Sequence, residues 1–248
     1  MPRLSDKVAL VTGGAQGIGR EIVRAFGAEG ADVGVNDFQR DDELRKVVDE
    51  VEGMGQRAWA LPADVTDEEQ VRSMVAKLLD QAGRIDVLVT NAGIADLVPL
   101  ADMSAEVWDR MIAVHLRGTF LCARYVLPSM LQRGSGKIIT LGSQLGQIGR
   151  EGMVHYSAAK GGVIAFTKAL AREVSPQGIN VNCIAPGPIS TGLITLDLAT
   201  SERMRNSLPM RRFGTVGDVA PTAVFLASAE SDYYTGQTLG PNGGDVML

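Results

Sequence analysis

The chain of 248 residues is poor in several things, and each shortage closes off a line of function. Its two cysteines, Cys122 and Cys183, lie far apart in apolar stretches. They are too few for a disulfide framework or a zinc cluster, and no metal site is expected. There is no basic run and no basic patch interleaved with aromatics, and the net charge is -5, so no nucleic-acid partner is expected. No apolar stretch reaches the ~20 residues of a membrane span, and the amino end, MPRLSDK, has no signal-peptide core. The expectation is a cytoplasmic protein without a membrane partner. Only two histidines occur, His115 and His155, neither with a carboxylate partner in view, and the GxSxG elbow is missing. Serine hydrolysis is therefore a poor rival, although a triad can be assembled from distant residues. Linkers, repeats and low-complexity segments are also lacking, so residues 1–248 read as one domain, long enough for a large α/β unit.

What is present is an alternation. Short apolar runs at residues 7–12, 32–36, 58–61, 87–90, 137–141, 179–184 and 237–239 are separated by longer helical patterns. That order predicts an α/β fold with a doubly wound, Rossmann-type parallel sheet of about seven strands, covered by helices on both faces. Ligands of such sheets bind outside the carboxyl ends of the strands, and Thr12, Asp37, Asp64, Asn91 and Ser143 all fall at such ends.

The first run, KVALVT, leads directly into TGGAQGIGREIVRAFGAEG. Gly13, Gly17 and Gly19 stand between a strand and a helix. There, glycines permit a tight turn and close backbone approach, and the helix N-terminus offers unpaired N–H groups to a pyrophosphate. Ile18, Ile22 and Phe26 recur every four residues and support the helix. Some twenty residues on, Asp37 ends the second run, where a carboxylate can accept hydrogen bonds from ribose hydroxyls and repel a 2′-phosphate. Asp37 also fits a plain turn, with Arg40 near enough to reach a phosphate.

A second constellation lies in HYSAAKGG. Tyr156 and Lys160 share a helix face at i and i+4, and Ser143 precedes the tyrosine by thirteen residues. A phenol has a reference pKa of ~10, and a neighbouring ammonium lowers it. The expectation is a Tyr156 made more acidic by Lys160 and able to exchange a proton with an alcohol.

The ordered set TGGAQGIG, ADVTD, TNAG, Ser143–Tyr156–Lys160 and PGPIST resembles the short-chain dehydrogenase/reductase family nearly end to end. The resemblance implies hydride transfer between a nicotinamide cofactor and a secondary alcohol or ketone, with Tyr156 as general acid/base, Ser143 hydrogen-bonding the reacting oxygen, and Lys160 also holding the cofactor ribose. It implies cofactor contacts from Gly13, Gln16, Gly17, Ile18 and Gly19, from Asp64 and Val65 at the adenine, from Asn91, Ala92 and Gly93, and from Pro186, Gly187, Ile189 and Thr191 over the nicotinamide. In relatives preferring NADP a basic residue commonly precedes the second motif glycine. Here Gln16 is neutral, so with Asp37 the expectation is NAD in preference to NADP. The family is typically tetrameric, and a homotetramer is expected.

One departure stands out. A pattern like VNLxGTF is usual, whereas this chain reads VHLRGTF, with His115 in place of a catalytic asparagine. The usual role runs through a backbone carbonyl, which survives the substitution; a packed helix histidine is equally compatible. Residues 144–154 and the loop after Thr191 would flank the substrate, which makes Gln144, Gln147, Met153 and His155 pocket candidates. The whole sequence is similar to bacterial 3-oxoacyl thioester reductases. A catabolic sugar, polyol or cyclic alcohol dehydrogenase remains a competitor, and an inactive dinucleotide-binding protein a weaker one.

Overall fold

The computed structural model describes residues 2–191 and 197–247. Seven strands, β1 (Val8–Thr12), β2 (Asp32–Asp37), β3 (Ala58–Pro62), β4 (Val87–Thr90), β5 (Gly136–Leu141), β6 (Ile179–Ile184) and β7 (Thr238–Leu239), form one sheet. Their order is β3-β2-β1-β4-β5-β6-β7, and every pair is parallel. All seven expected runs are strands, their ends differing by at most one residue.

Strand side chains alternate between two cores, as a period of two requires. Ala9, Val11, Val87, Val89, Ile139 and Leu141 face a layer built by α1 (Gly17–Ala28), α2 (Asp41–Glu52) and α9 (Val216–Ala227). Leu10, Leu88, Ile138 and Val181 face α3 (Glu68–Ala82), α5 (Gly118–Arg133) and α7 (Val154–Val174). Both faces are covered, so the strands read as continuous apolar runs. Three shorter helices complete the described set: α4 (Ala105–Ile112), α6 (Leu145–Ile148) and α8 (Leu198–Ser207).

Strand order reverses between β1 and β4, the switch point at which open α/β sheets bind ligands. One detail bears on the site beside it. Between α4 and α5, residues Ala113–Arg117 form a wider π-type turn, and His115 is its buried member. Single π turns inside helices often mark functional positions.

Candidate active site

One cleft of about 1350 Å³ opens along the carboxyl ends of the strands. At one end it is shaped mainly by backbone. Helix α1 starts from Gln16, whose side chain makes no capping bond, and its first turn holds no acidic residue. Helix α3 starts in the opposite way: the Asp67 carboxylate accepts from the Glu69 and Gln70 N–H groups, and Glu68 and Glu69 follow in the first turn. An acid-capped start repels an anion, whereas an uncapped one leaves N–H groups for it. Gly13 and Gly17 hold φ of +64° and +55°, in the left-handed region. Gly19 is needed for another reason: a Cβ there would lie 2.1 Å from the Gly13 carbonyl oxygen, so only glycine lets α1 close onto the turn.

Side chains then fasten this frame. Asn91 donates from Nδ2 to the carbonyls of Thr12 and Gly13, each at 3.0 Å, so it ties the end of β4 to the glycine turn rather than closing a turn of its own. The Thr12 hydroxyl accepts from the N–H groups of Asn91 and Ala92 at 3.0 and 3.1 Å. Asp37 accepts from Ala15 N–H at 3.0 Å and Phe38 N–H at 2.8 Å, which points its carboxylate at the glycine turn; Arg40 Nε stands 4.0 Å away. An uncapped helix start, glycines admitting close approach and a fixed carboxylate fit a dinucleotide.

The other end of the cleft holds Ser143, Tyr156 and Lys160. Ser143 is buried at the end of β5, and its Oγ accepts from Leu145 N–H at 3.1 Å. Tyr156 lies partly buried on α7, and Lys160 one turn on is 5 % exposed. Lys160 Nζ donates to the Leu141 carbonyl at 2.6 Å and lies 5.8 Å from the centre of the tyrosine ring. Burial lowers the ammonium pKa to about 8. The expectation that Lys160 acidifies the phenol is not met by these charges. Burial raises the Tyr156 pKa, and the force opposing it is the hydrogen bond with Ser143. The Lys160 ammonium is instead held against the Leu141 carbonyl. A cationic nicotinamide ring, when bound, would add to the lowering.

His115 packs edge-on against Tyr156, ring centres 5.3 Å apart. Its Nε2 meets the Ile94 carbonyl at 2.7 Å and the Ile94 N–H at 3.2 Å; one nitrogen serves one of these at a time, and the shorter contact favours Nε2–H donating. Burial, then the Lys160 charge, hold the imidazole pKa well below its ordinary value, so the ring is neutral. The ring also occupies the space beside Gly93, where a Cβ would come within 2.5 Å of its Cε1.

The cleft wall gathers most of the sequence-predicted residues: Gly13, Gln16, Gly17, Ile18, Asp37, Asp64, Val65, Asn91, Ala92, Gly93, His115, Ser143, Gln144, Met153, Tyr156, Lys160, Pro186, Gly187, Ile189 and Thr191. Gly19, Gln147 and His155 do not line it. Gly19 acts behind the wall, as above. His155 is a correction to the pocket reading: neighbouring helix residues point ~100° apart, so placing Tyr156 on the cleft sends His155 into the interior, where it is fully buried. Gln147 belongs to α6, whose Gly146 packs on the Lys160 backbone, and the cleft is reached by Gln144, Leu145 and Ile148 instead. Of the loop after Thr191, residues 192–196 lie outside the described residues; Ser201 and Met204 of α8 do line the cleft. Sequence reading missed Asp245, which also lines it. Its only signal was an acidic residue in an otherwise apolar carboxyl end, GGDVML.

A switch-point cleft joining a dinucleotide frame to a Ser–Tyr–Lys set defines a nicotinamide-dependent oxidoreductase. Comparison with known proteins makes this specific. The family model described as enoyl-(acyl carrier protein) reductase matches residues 13–245. The 3-oxoacyl-(acyl-carrier-protein) reductase FabG of Staphylococcus aureus is 41 % identical over 97 % of this chain and 98 % of its own, and that of Thermotoga maritima 40 % identical over 99 % and 100 %. Among solved structures, a blue fluorescent protein from a metagenomic library, in complex with NADPH, superposes with a TM-score of 0.93 at 36 % identity, covering 99 % of this chain and 100 % of that one. The chain belongs to the short-chain dehydrogenase/reductase family.

Proposed function

We propose that this oxidoreductase moves a hydride between NAD(H) and a secondary alcohol or ketone, with Tyr156 as the proton donor to the carbonyl oxygen in reduction and the phenolate as base in oxidation. The observation that carries this is Ser143, Tyr156 and Lys160 sharing one cleft with the uncapped start of α1. Ser143 holds the reacting oxygen, so the developing charge is met by a hydroxyl and a phenol. Lys160, positioned by its hydrogen bond to the Leu141 carbonyl, holds a ribose hydroxyl beside Tyr156. His115 keeps that arrangement in register through Ile94. The cofactor, when bound, supplies or accepts the hydride.

The preference for NAD rests on Asp37, whose two oxygens are fixed by backbone N–H groups and cannot turn aside for a 2′-phosphate. The relatives' names favour a 3-oxoacyl thioester as substrate. The cleft's own acidic wall at Asp245 favours a small hydroxylated alcohol or ketone. Large apolar side chains left exposed, Tyr233, Tyr234, Phe120 and Met247, support a homotetramer, and no described helix is long and apolar enough to cross a membrane, which is compatible with a cytoplasmic enzyme. Purified protein assayed with NAD(H) and NADP(H) on secondary alcohols, ketones and 3-oxoacyl thioesters tests the function. Cofactor binding without turnover across the panel would overturn it, and a single-chain mass in sedimentation would reject the tetramer.

A further inference from the structure

The carboxyl-terminal segment enters the substrate end of the cleft as a built turn. Asn242, 9 % exposed, accepts from Gly244 N–H at 2.9 Å and donates to the Val246 carbonyl at 2.8 Å. The turn is pinned on two sides. Met210 N–H donates to the Gly243 carbonyl at 3.1 Å, and Gly187 packs so tightly that a Cβ on it would lie 2.6 Å from Asn242 Cα. Asp245 is thereby held against Gln144, the residue after Ser143, and its Oδ2 accepts from Gln144 Nε2 at 2.6 Å. This bond orients the amide: one N–H of Nε2 is taken by the carboxylate, which sets the carbonyl Oε1 on the other side. Gln144 is 5 % exposed, lines the cleft, and its Oε1 has no hydrogen-bond partner among the described residues. Asp245 Oδ1 likewise carries no hydrogen bond among them, while Asp245 itself is exposed to the cleft.

On the cleft wall, then, stand a buried amide oxygen with no partner among the described residues and an exposed carboxylate oxygen. A buried acceptor left unpaired costs ~1–3 kcal/mol, and a carboxylate pressed by an alkyl chain loses hydration without return. An O–H on the carbon beside the reacting one has one proton to donate, and the Asp245 carboxylate is the stronger acceptor for it. We infer that Asp245, with Gln144 oriented by it, is a specificity-determining pair selecting a vicinal hydroxyl, so that the substrate class is an α-hydroxy ketone and its diol. The carbon next to the carbonyl of a 3-oxoacyl thioester bears only C–H groups, and the pair disfavours it. This rests on the hydride-transfer reading above and narrows its substrate.

The test compares kcat/KM for matched substrates with NAD(H): acetoin against 2-butanone, 2,3-butanediol against 2-butanol, and the N-acetylcysteamine thioester of 3-oxobutyrate. Hydrogen bonds to a charged group predict that the wild type favours the hydroxylated member of each pair by ~10–100-fold. In Asp245→Leu that preference falls to within about threefold while the thioester gains relative to acetoin. Asp245→Asn, which keeps the shape and removes the charge, loses about fivefold or more of the preference and carries the test if the leucine variant does not fold. A wild type without the preference, or a preference undiminished in both variants, overturns the inference and leaves the reaction standing. A wild type that turns over none of these compounds fails at the earlier step, and the reaction assignment falls with it.

Discussion

The two ends of the cleft are built by different means. The cofactor end is mostly backbone: a strand, a glycine turn and a helix start that follow one another in sequence, with Asn91 and Asp37 fastening them. The substrate end is mostly side chains from segments far apart in the chain, such as Gln144 on Asp245 and His115 on Ile94. Backbone geometry tolerates no added atom but does not depend on a particular partner far away. Side-chain geometry tolerates change at one residue and answers at another.

The largest effect expected comes from the chemistry that joins the two ends. Tyr156→Phe should lower kcat by ~10²–10⁴-fold while leaving NADH fluorescence titration within a few-fold. Turnover at full speed would mean that the phenol is not the proton donor. Next, Asp37→Ala should cut the NAD over NADP preference in kcat/KM by ~10–100-fold, the size of a lost charged hydrogen bond. An unchanged ratio would return Asp37 to the status of a turn residue.

Within the backbone-built end, Gly19→Ala should destabilise the fold by ~1–3 kcal/mol in denaturant unfolding, because the neighbour it meets at 2.1 Å is backbone and cannot step aside. Gly17→Ala has open space, its nearest neighbour 3.8 Å off, and should show only the ~1–2 kcal/mol strain of a left-handed residue. Equal outcomes that vanish in unfolding assays would break the distinction between collision and strain.

Lys160 gives a pH test. Its pKa falls from 10.5 to about 8 in the folded chain because burial penalises the charged form. Above about 8 the folded state releases a proton that the unfolded state keeps until 10.5, so the unfolded state binds more protons and stability rises with pH in that window. Relative to Lys160→Met, the wild type should gain about 2 kcal/mol between pH 8 and 9.5, measured by denaturant unfolding at both pH values. A flat difference would mean that the lysine keeps its proton.

The smallest effect sharpens the side-chain end. Gly93→Ala alone should cost ~1–3 kcal/mol because its Cβ meets the His115 ring, and most of that cost should disappear in a His115→Ala background, which a double-mutant cycle reads as a coupling of nearly the same size. Additive costs would uncouple the two residues.

How much could be read in advance follows the same division. The sheet, its strand ends and the glycine turn were legible because each is encoded within a few consecutive residues by period, small size and order. Ser143, Tyr156 and Lys160 were legible through their spacing, but the direction of the Lys160 ammonium was not, since the Leu141 carbonyl that claims it is nineteen residues away. His155 was misplaced because adjacency to Tyr156 in the chain is divergence on a helix. Asp245 went unread because it gains meaning only where the carboxyl-terminal turn meets Gln144, a hundred and one residues earlier.

By itself, then, the sequence determined the class of fold, the dinucleotide frame and the shared helix face of Tyr156 and Lys160, all of which arise from local pattern in a fixed order. Tertiary structure alone decided what surrounds the phenol, what the imidazole of His115 holds, and that Asp245 meets Gln144 on the cleft wall. Those depend on contacts between segments distant in the chain, and such contacts exist only once the sheet has brought the strand ends together.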